Sequence, residues 1–199
     1  MSTISPVAPS RNITLSHILQ ARRDYLSKEL EALCQRTVRP RILSVSNGRL
    51  REAESVLPLC ARRSGEFVAL DRNPEVLETL RQEYGPGQIR CVQDLDPCRL
   101  EKFHYIYALN VLNEIHDPAA RQLLAKLAAM LHPGGCLLVA GFTPEMKAWG
   151  YADEARWEPV CRTETDMARL ADMIPDSDMV GHVMWRDDTE TIVYLEIQK

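Results

Sequence analysis

The stretch Arg41-Ile42-Leu43-Ser44-Val45-Ser46-Asn47-Gly48-Arg49-Leu50 decides the fold. A short aliphatic run, the length of a buried strand, breaks at Ser46-Asn47-Gly48 and gives way to helical spacing through about Cys60. The same order then repeats. Phe67-Val68-Ala69-Leu70 reads as a second strand, and Pro74 to Tyr84 as a helix with proline in its first turn. Ile89 to Val92 is a third strand and Phe103 to Leu109 a fourth. Pro118 to Leu131 follows as a helix with Asp117 as its N-cap, stopped by His132-Pro133-Gly134-Gly135 ahead of a fifth strand at Cys136 to Ala140. Strands that alternate with helices need crossover connections, which make a parallel sheet covered on both faces.

Toward the C-terminus the alternation stops. Thr165 to about Ile174 is helical, and Met179 to Trp185 and Thr191 to Ile197 flank Arg186-Asp187-Asp188-Thr189 as a hairpin. The expected class is therefore α/β: a doubly wound, mainly parallel seven-stranded sheet with a terminal antiparallel hairpin. Toward the N-terminus, residues 1 to 12 are polar and read as a tail. Leu15, Ile18, Leu19, Leu26, Leu30 and Leu33 then mark an amphipathic helix from Thr14 to about Cys34. This divides the chain into a tail and helical lid (1–40) and a sheet domain (41–199).

The 199 residues carry 24 basic and 28 acidic side chains, a net charge of −4, which speaks against a surface built for electrostatic nucleic-acid binding. The apolar fraction of 45% is enough to bury a full core. No apolar run reaches the roughly 18 residues of a membrane span. Met1 to Pro6 lacks a basic start and an apolar stretch, so the expected location is cytoplasmic. The six cysteines, Cys34, Cys60, Cys91, Cys98, Cys136 and Cys161, show no CxxC spacing, and read as buried thiols rather than metal ligands. The expected partner is a small-molecule acceptor, with no nucleic acid, no membrane and no metal; a homodimer is left open.

Doubly wound sheets bind ligands beyond the carboxyl ends of their strands. Gly48 lets the backbone approach a ligand closely there. Asp71, which closes the second strand, can accept both hydrogen bonds of a ribose diol, and Asp94 after the third strand can meet the exocyclic amine of a base.

With Asn110-Val111-Leu112-Asn113-Glu114-Ile115-His116-Asp117 and Leu131-His132-Pro133-Gly134-Gly135-Cys136-Leu137-Leu138-Val139, these segments resemble the class I S-adenosylmethionine-dependent methyltransferases, from about Arg41 to Lys199. The resemblance implies a Rossmann-like methyltransferase fold and S-adenosylmethionine as cofactor. Asp71 would take the ribose hydroxyls, Asp94 the adenine amine, and the loop at Ser46 to Gly48 the methionine portion. The implied cofactor set is Ser44, Ser46, Asn47, Gly48, Asp71, Arg72, Asp94, Leu95, Asn110 and Val111. More narrowly, Gly48-Arg49-Leu50-Arg51-Glu52 and Trp157-Glu158-Pro159-Val160-Cys161-Arg162 are similar to a bacterial subgroup associated with fatty-acid methyl ester signals. The family usually has glycine where this chain has Ser46, often an acid at Ser44, and often Asp at His104.

Methyl transfer from a sulfonium is an in-line displacement, so the protein mainly aligns the reactants and excludes water. His116 is the expected catalytic base, against a helix-capping or solvent-facing role. Asn113, Trp149, Tyr151, Trp157 and Arg162 are the expected acceptor contacts, Phe142 and Met146 belong to the same apolar stretch, and Arg162 could instead bridge to Glu158. Arg22, Arg23 and Tyr25 face the site if the first helix closes over it. Methyl transfer to an apolar carboxylate or hydroxyl acceptor is the leading reading. The alternative is a degenerate member that binds a ligand or partner without methylating, and a nicotinamide enzyme ranks below both.

Overall fold

The computed structural model describes residues 14–46, 48–94, 102–148 and 158–199. Seven strands form one sheet: β1 (Arg41–Val45), β2 (Glu66–Leu70), β3 (Arg90–Val92), β4 (Phe103–Ala108), β5 (Leu131–Phe142), β6 (Gly181–Arg186) and β7 (Ile192–Gln198). Their order is β3-β2-β1-β4-β5-β7-β6. The first five run parallel, and β7 pairs antiparallel with both β5 and β6. The helices are α1 (Leu15–Arg36), α2 (Ala53–Arg62), α3 (Pro74–Tyr84), α4 (Asp117–Ala129), α5 (Pro144–Ala148) and α6 (Glu164–Ala171). The expected class and the closing hairpin are both present.

Two apolar layers sandwich the sheet, and strand alternation sorts residues between them. Ile42, Tyr105, Tyr107, Leu138 and Ala140 face the layer that holds α1, α2 and α3. Leu43, Phe103, Ile106, Leu137 and Val139 face the layer of α4 and α6. Helix α1 joins the first layer through Ile18, Leu26, Leu30 and Leu33, all almost fully buried. Tyr25 packs edge-on against Trp185 at 5.9 Å and lies 6.1 Å from Tyr194, so it anchors α1 to the hairpin rather than facing a ligand.

Three boundaries depart from the sequence reading. The N-cap of α4 is His116, not Asp117. His116 is extended, its carbonyl accepts from Ala120 N at 3.0 Å, and Asp117 falls in the first turn. Strand β5 begins at Leu131 rather than Cys136, because Leu131 pairs with Phe103 and a register shift carries the chain past Pro133 and the two glycines. The hairpin turn runs later than expected, closed by Glu190 N donating to Asp187 O and Ile192 N to the Asp187 carboxylate. Periodicity sees none of these: the cap is set by the extended backbone of His116, the start of β5 by pairing with β4, and the turn by a side chain bonding the backbone.

Two of the cysteines, Cys34 and Cys60, are buried, whereas Cys91, Cys136 and Cys161 are half-buried; none of these five is in a disulfide, and Cys98 lies outside the described residues. No helix among the described residues is long and apolar enough to cross a membrane.

Candidate functional site

A cleft of about 680 Å³ opens at the carboxyl ends of β1, β2, β3 and β4. Its floor is built by turns that the sheet forces on the chain. After Val45 the backbone reverses, with Ser46 at φ +50° and Gly48 at φ +65°. Ser46 N donates to Leu70 O at 2.8 Å, which extends the β1–β2 ladder by one bond into the turn. A side chain at φ +50° is uncommon, and this is the position where the family usually has glycine. A Cβ added at Gly48 would meet nothing within 4 Å, so this turn leaves open space beside the backbone.

Asp71 follows β2 and lines the cleft. Asn73 N donates to its Oδ1 at 2.9 Å, which fixes the carboxylate, while Oδ2 has no protein partner among the described residues. Asn73 also caps α3, accepting from Glu75 N at 2.9 Å. Arg72 and Asp94 line the same cleft, as do Asn110 and Val111 beyond β4. The structure thus brings Ser46, Gly48, Asp71, Arg72, Asp94, Asn110 and Val111 together. Asn47 and Leu95 lie outside the described residues, as do Trp149, Tyr151 and Trp157.

Ser44 is different. It is 1% exposed within β1 and does not line the cleft. Its hydroxyl bonds the Tyr107 phenol, so it is a core contact: alternation turns it, like its neighbour Tyr107, into the layer of α1, α2 and α3.

Three of the expected acceptor and catalytic groups stand outside the cleft lining. Arg162 is 1% exposed and already engaged: its guanidinium donates to Asp117 Oδ1 at 3.0 Å and to the carbonyls of Leu112 and Ile115. It ties the segment after β4 to the segment after β5, and neither reaches an acceptor nor bridges to Glu158. Asn113 is equally buried, its side chain accepting from Phe142 N at 2.8 Å and its carbonyl from Val160 N at 2.8 Å. Both residues are structural clasps. His116 is exposed at the start of α4 and is not among the residues lining the cleft. Phe142 and Met146 are core residues, not a pocket wall. His104 stacks on His132 at 4.8 Å and accepts from Arg41 N, far from the cleft in the chain's topology.

Beside the cleft lies a second cavity of about 210 Å³, between α1 and the loop after β1, sharing Asn110 with the first. Arg22, Arg23, Arg49, Arg51 and Glu52 line it. Arg22 donates to Leu109 O at 2.9 Å and to Asn110 Oδ1 at 2.8 Å, which closes α1 onto the end of β4. Glu52 is 8% exposed and accepts from the Tyr107 hydroxyl at 2.9 Å. Burial raises its carboxyl above the ordinary range, against the pull of Tyr107, Arg22 and Arg23. Burial also lowers the Arg22 guanidinium. Sequence reading offered Arg22 and Arg23 for a lid but assigned no role to Arg49, Arg51 or Glu52. The available signal was the density of charge in Arg49-Leu50-Arg51-Glu52 directly after the glycine turn.

Comparison with known proteins agrees with this fold. Residues 48–135 match the family model described as a methyltransferase domain. No curated protein matches the sequence significantly. Among solved structures, the N-methyltransferase NodS from Bradyrhizobium japonicum is similar at a TM-score of 0.60 and 18% identity, over 91% of this chain and 96% of that one. The magnesium protoporphyrin IX methyltransferase ChlM from Synechocystis, solved with S-adenosylhomocysteine bound, gives 0.62 at 13% identity, over 96% and 90%. The carbon methyltransferase of CurJ gives 0.69 at 14% identity, over 93% and 56%. At such identities the likeness is one of fold.

Proposed function

We propose that this chain, a class I methyltransferase by fold, binds S-adenosylmethionine in the large cleft and transfers its methyl group to a small-molecule acceptor. The observation that carries the reading is Asp71. Its carboxylate is held by Asn73 N on one oxygen and presents the other to a cleft that also contains Asp94 and the open turn at Gly48. A carboxylate so fixed suits a vicinal diol, and an acid one strand further along suits an exocyclic amine.

S-adenosylmethionine, when bound, supplies a methyl group on a positively charged sulfur. The chain's own residues would do the rest. Asp71 and Asp94 would hold the nucleoside, and the backbone from Ser46 to Gly48 would run beside the amino-acid portion. Asn110, pinned by Arg22, stands where the cleft and the smaller cavity meet, so an acceptor entering from the α1 side would reach the cofactor across this edge. Alignment and exclusion of water account for most of the acceleration in such a displacement. An ionised acceptor needs no base. For a hydroxyl or amine, Glu52 rather than His116 would take the proton, since its carboxyl lines the acceptor side and its affinity for a proton is raised by burial.

Calorimetric titration with S-adenosylmethionine, S-adenosylhomocysteine and NAD tests this. Saturable binding of the two sulfur nucleosides, with no heat from NAD, is the expected result. Silence for all three overturns it.

A further inference from the structure

The arginine-lined cavity has a composition that methyl transfer as such does not require. The side chains of Arg23, Arg49 and Arg51 line it with no hydrogen bond or ion pair to a described residue. Arg22 is spent on Leu109 and Asn110, although its charge remains. The single carboxyl among the lining residues, Glu52, is buried and accepts from the Tyr107 hydroxyl, so at most one negative charge faces four guanidinium groups. Three partly exposed arginines elsewhere do have acidic partners, Arg41 and Arg90 on Glu66 and Arg186 on Glu145 and Glu164. Four guanidinium groups around one small cavity repel one another unless an anion joins them. A single carboxylate offers two oxygens and one charge. A phosphate monoester offers three oxygens and nearly two charges, a better match to several forked donors.

We infer that this cavity binds a doubly charged anionic group, of the phosphate monoester kind, carried by the acceptor. The inference rests on the methyl-transfer reading for the word acceptor, but the anion site itself stands on the cavity. The methionine carboxylate of the cofactor is the competing source of negative charge, and it carries only one.

The test uses the full chain, with and without saturating S-adenosylhomocysteine, titrated calorimetrically with phenyl phosphate, benzoate and benzyl alcohol. Phenyl phosphate should bind at least about tenfold more tightly than benzoate, and benzyl alcohol should give no saturable heat. Arg23→Gln and Arg51→Gln remove side-chain charges that have no hydrogen bond or ion pair among the described residues. Each should weaken phenyl phosphate binding by about tenfold and leave S-adenosylhomocysteine affinity within about twofold. Equal binding of phenyl phosphate and benzoate overturns the inference, as does no saturable phenyl phosphate binding below about 10 mM. A parallel loss of S-adenosylhomocysteine in both variants also overturns it, because the arginines would then serve the cofactor's carboxylate. Phenyl phosphate binding to a wild-type chain that ignores S-adenosylhomocysteine would sustain the anion site and sink the methyl-transfer reading instead.

Discussion

Arg22 donates to Asn110 Oδ1 at 2.8 Å, joining two residues 88 positions apart in the chain. The same guanidinium holds the Leu109 carbonyl at 2.9 Å. Together these bonds fasten α1 to the end of β4, at the edge shared by the cleft and the arginine-lined cavity. Arg22→Met keeps most of the aliphatic stem and deletes both charge-assisted bonds. We expect a loss of about 2 kcal/mol in urea denaturation. Amide exchange should quicken along the N-terminal half of α1, while the centre of the sheet stays protected.

Asp71→Asn separates the ligand role of this residue from its structural one. The asparagine oxygen can still accept from Asn73 N, so the entry to α3 is preserved and the melting temperature should stay close to wild type. A ribose diol, however, loses its charged acceptor. S-adenosylhomocysteine affinity should fall by at least about tenfold in a calorimetric titration. An unchanged affinity would place the nucleoside elsewhere.

Period-two and helical patterning make all seven strands readable, because each strand has to bury alternate residues against a different helical layer. Ile42 and Leu43 are adjacent in sequence and belong to opposite cores. The cleft is readable for a related reason. The carboxyl ends of parallel strands converge, so Gly48, Asp71, Asp94 and Asn110 meet without any of them having to be close in sequence. Side-chain destinations are another matter. Arg162 looks like an acceptor clamp in a one-dimensional reading, yet it lies in the core, because the carbonyls of Leu112 and Ile115 need donors that only the fold reveals. Ser44 and Ser46 look like equivalent departures from the family pattern. The end of β1 at Val45 falls between them: Ser44 lies inside the strand, in the core, whereas Ser46 lies past it at φ +50° and lines the cleft. Glu52 is hidden from sequence reading because an acid beside two arginines has the pattern of a solvated surface, not of a buried partner for Tyr107.

Arg162→Ala should be among the most damaging single substitutions. It strands two buried carbonyls and opens a large void at a residue that is 1% exposed. A loss of about 3–5 kcal/mol is expected in denaturant unfolding. Arg162→Lys should recover little of it, since one ammonium cannot span Asp117, Leu112 and Ile115 as the planar fork does. Full stability in the lysine variant would show that the clasp needs only a charge.

Glu52 makes stability depend on pH with a definite sign. Its carboxyl is raised in the fold from an ordinary value of 4.5, chiefly by burial. Below 4.5 both the folded and unfolded chains hold the proton, and the contribution of Glu52 is fully present. As pH rises through the window between 4.5 and the folded value, the unfolded chain releases its proton first, and stability is lost. Glu52→Gln retains an oxygen for the Tyr107 hydroxyl and has no proton to lose. Urea midpoints of the two proteins, compared stepwise upward from pH 4.5, should therefore diverge in favour of the glutamine variant. The same substitution should slow methylation of a hydroxyl or amine acceptor while leaving S-adenosylhomocysteine binding in place. A difference in stability that stays flat across this range would mean the carboxyl is not desolvated. Unaltered turnover would remove Glu52 as the base.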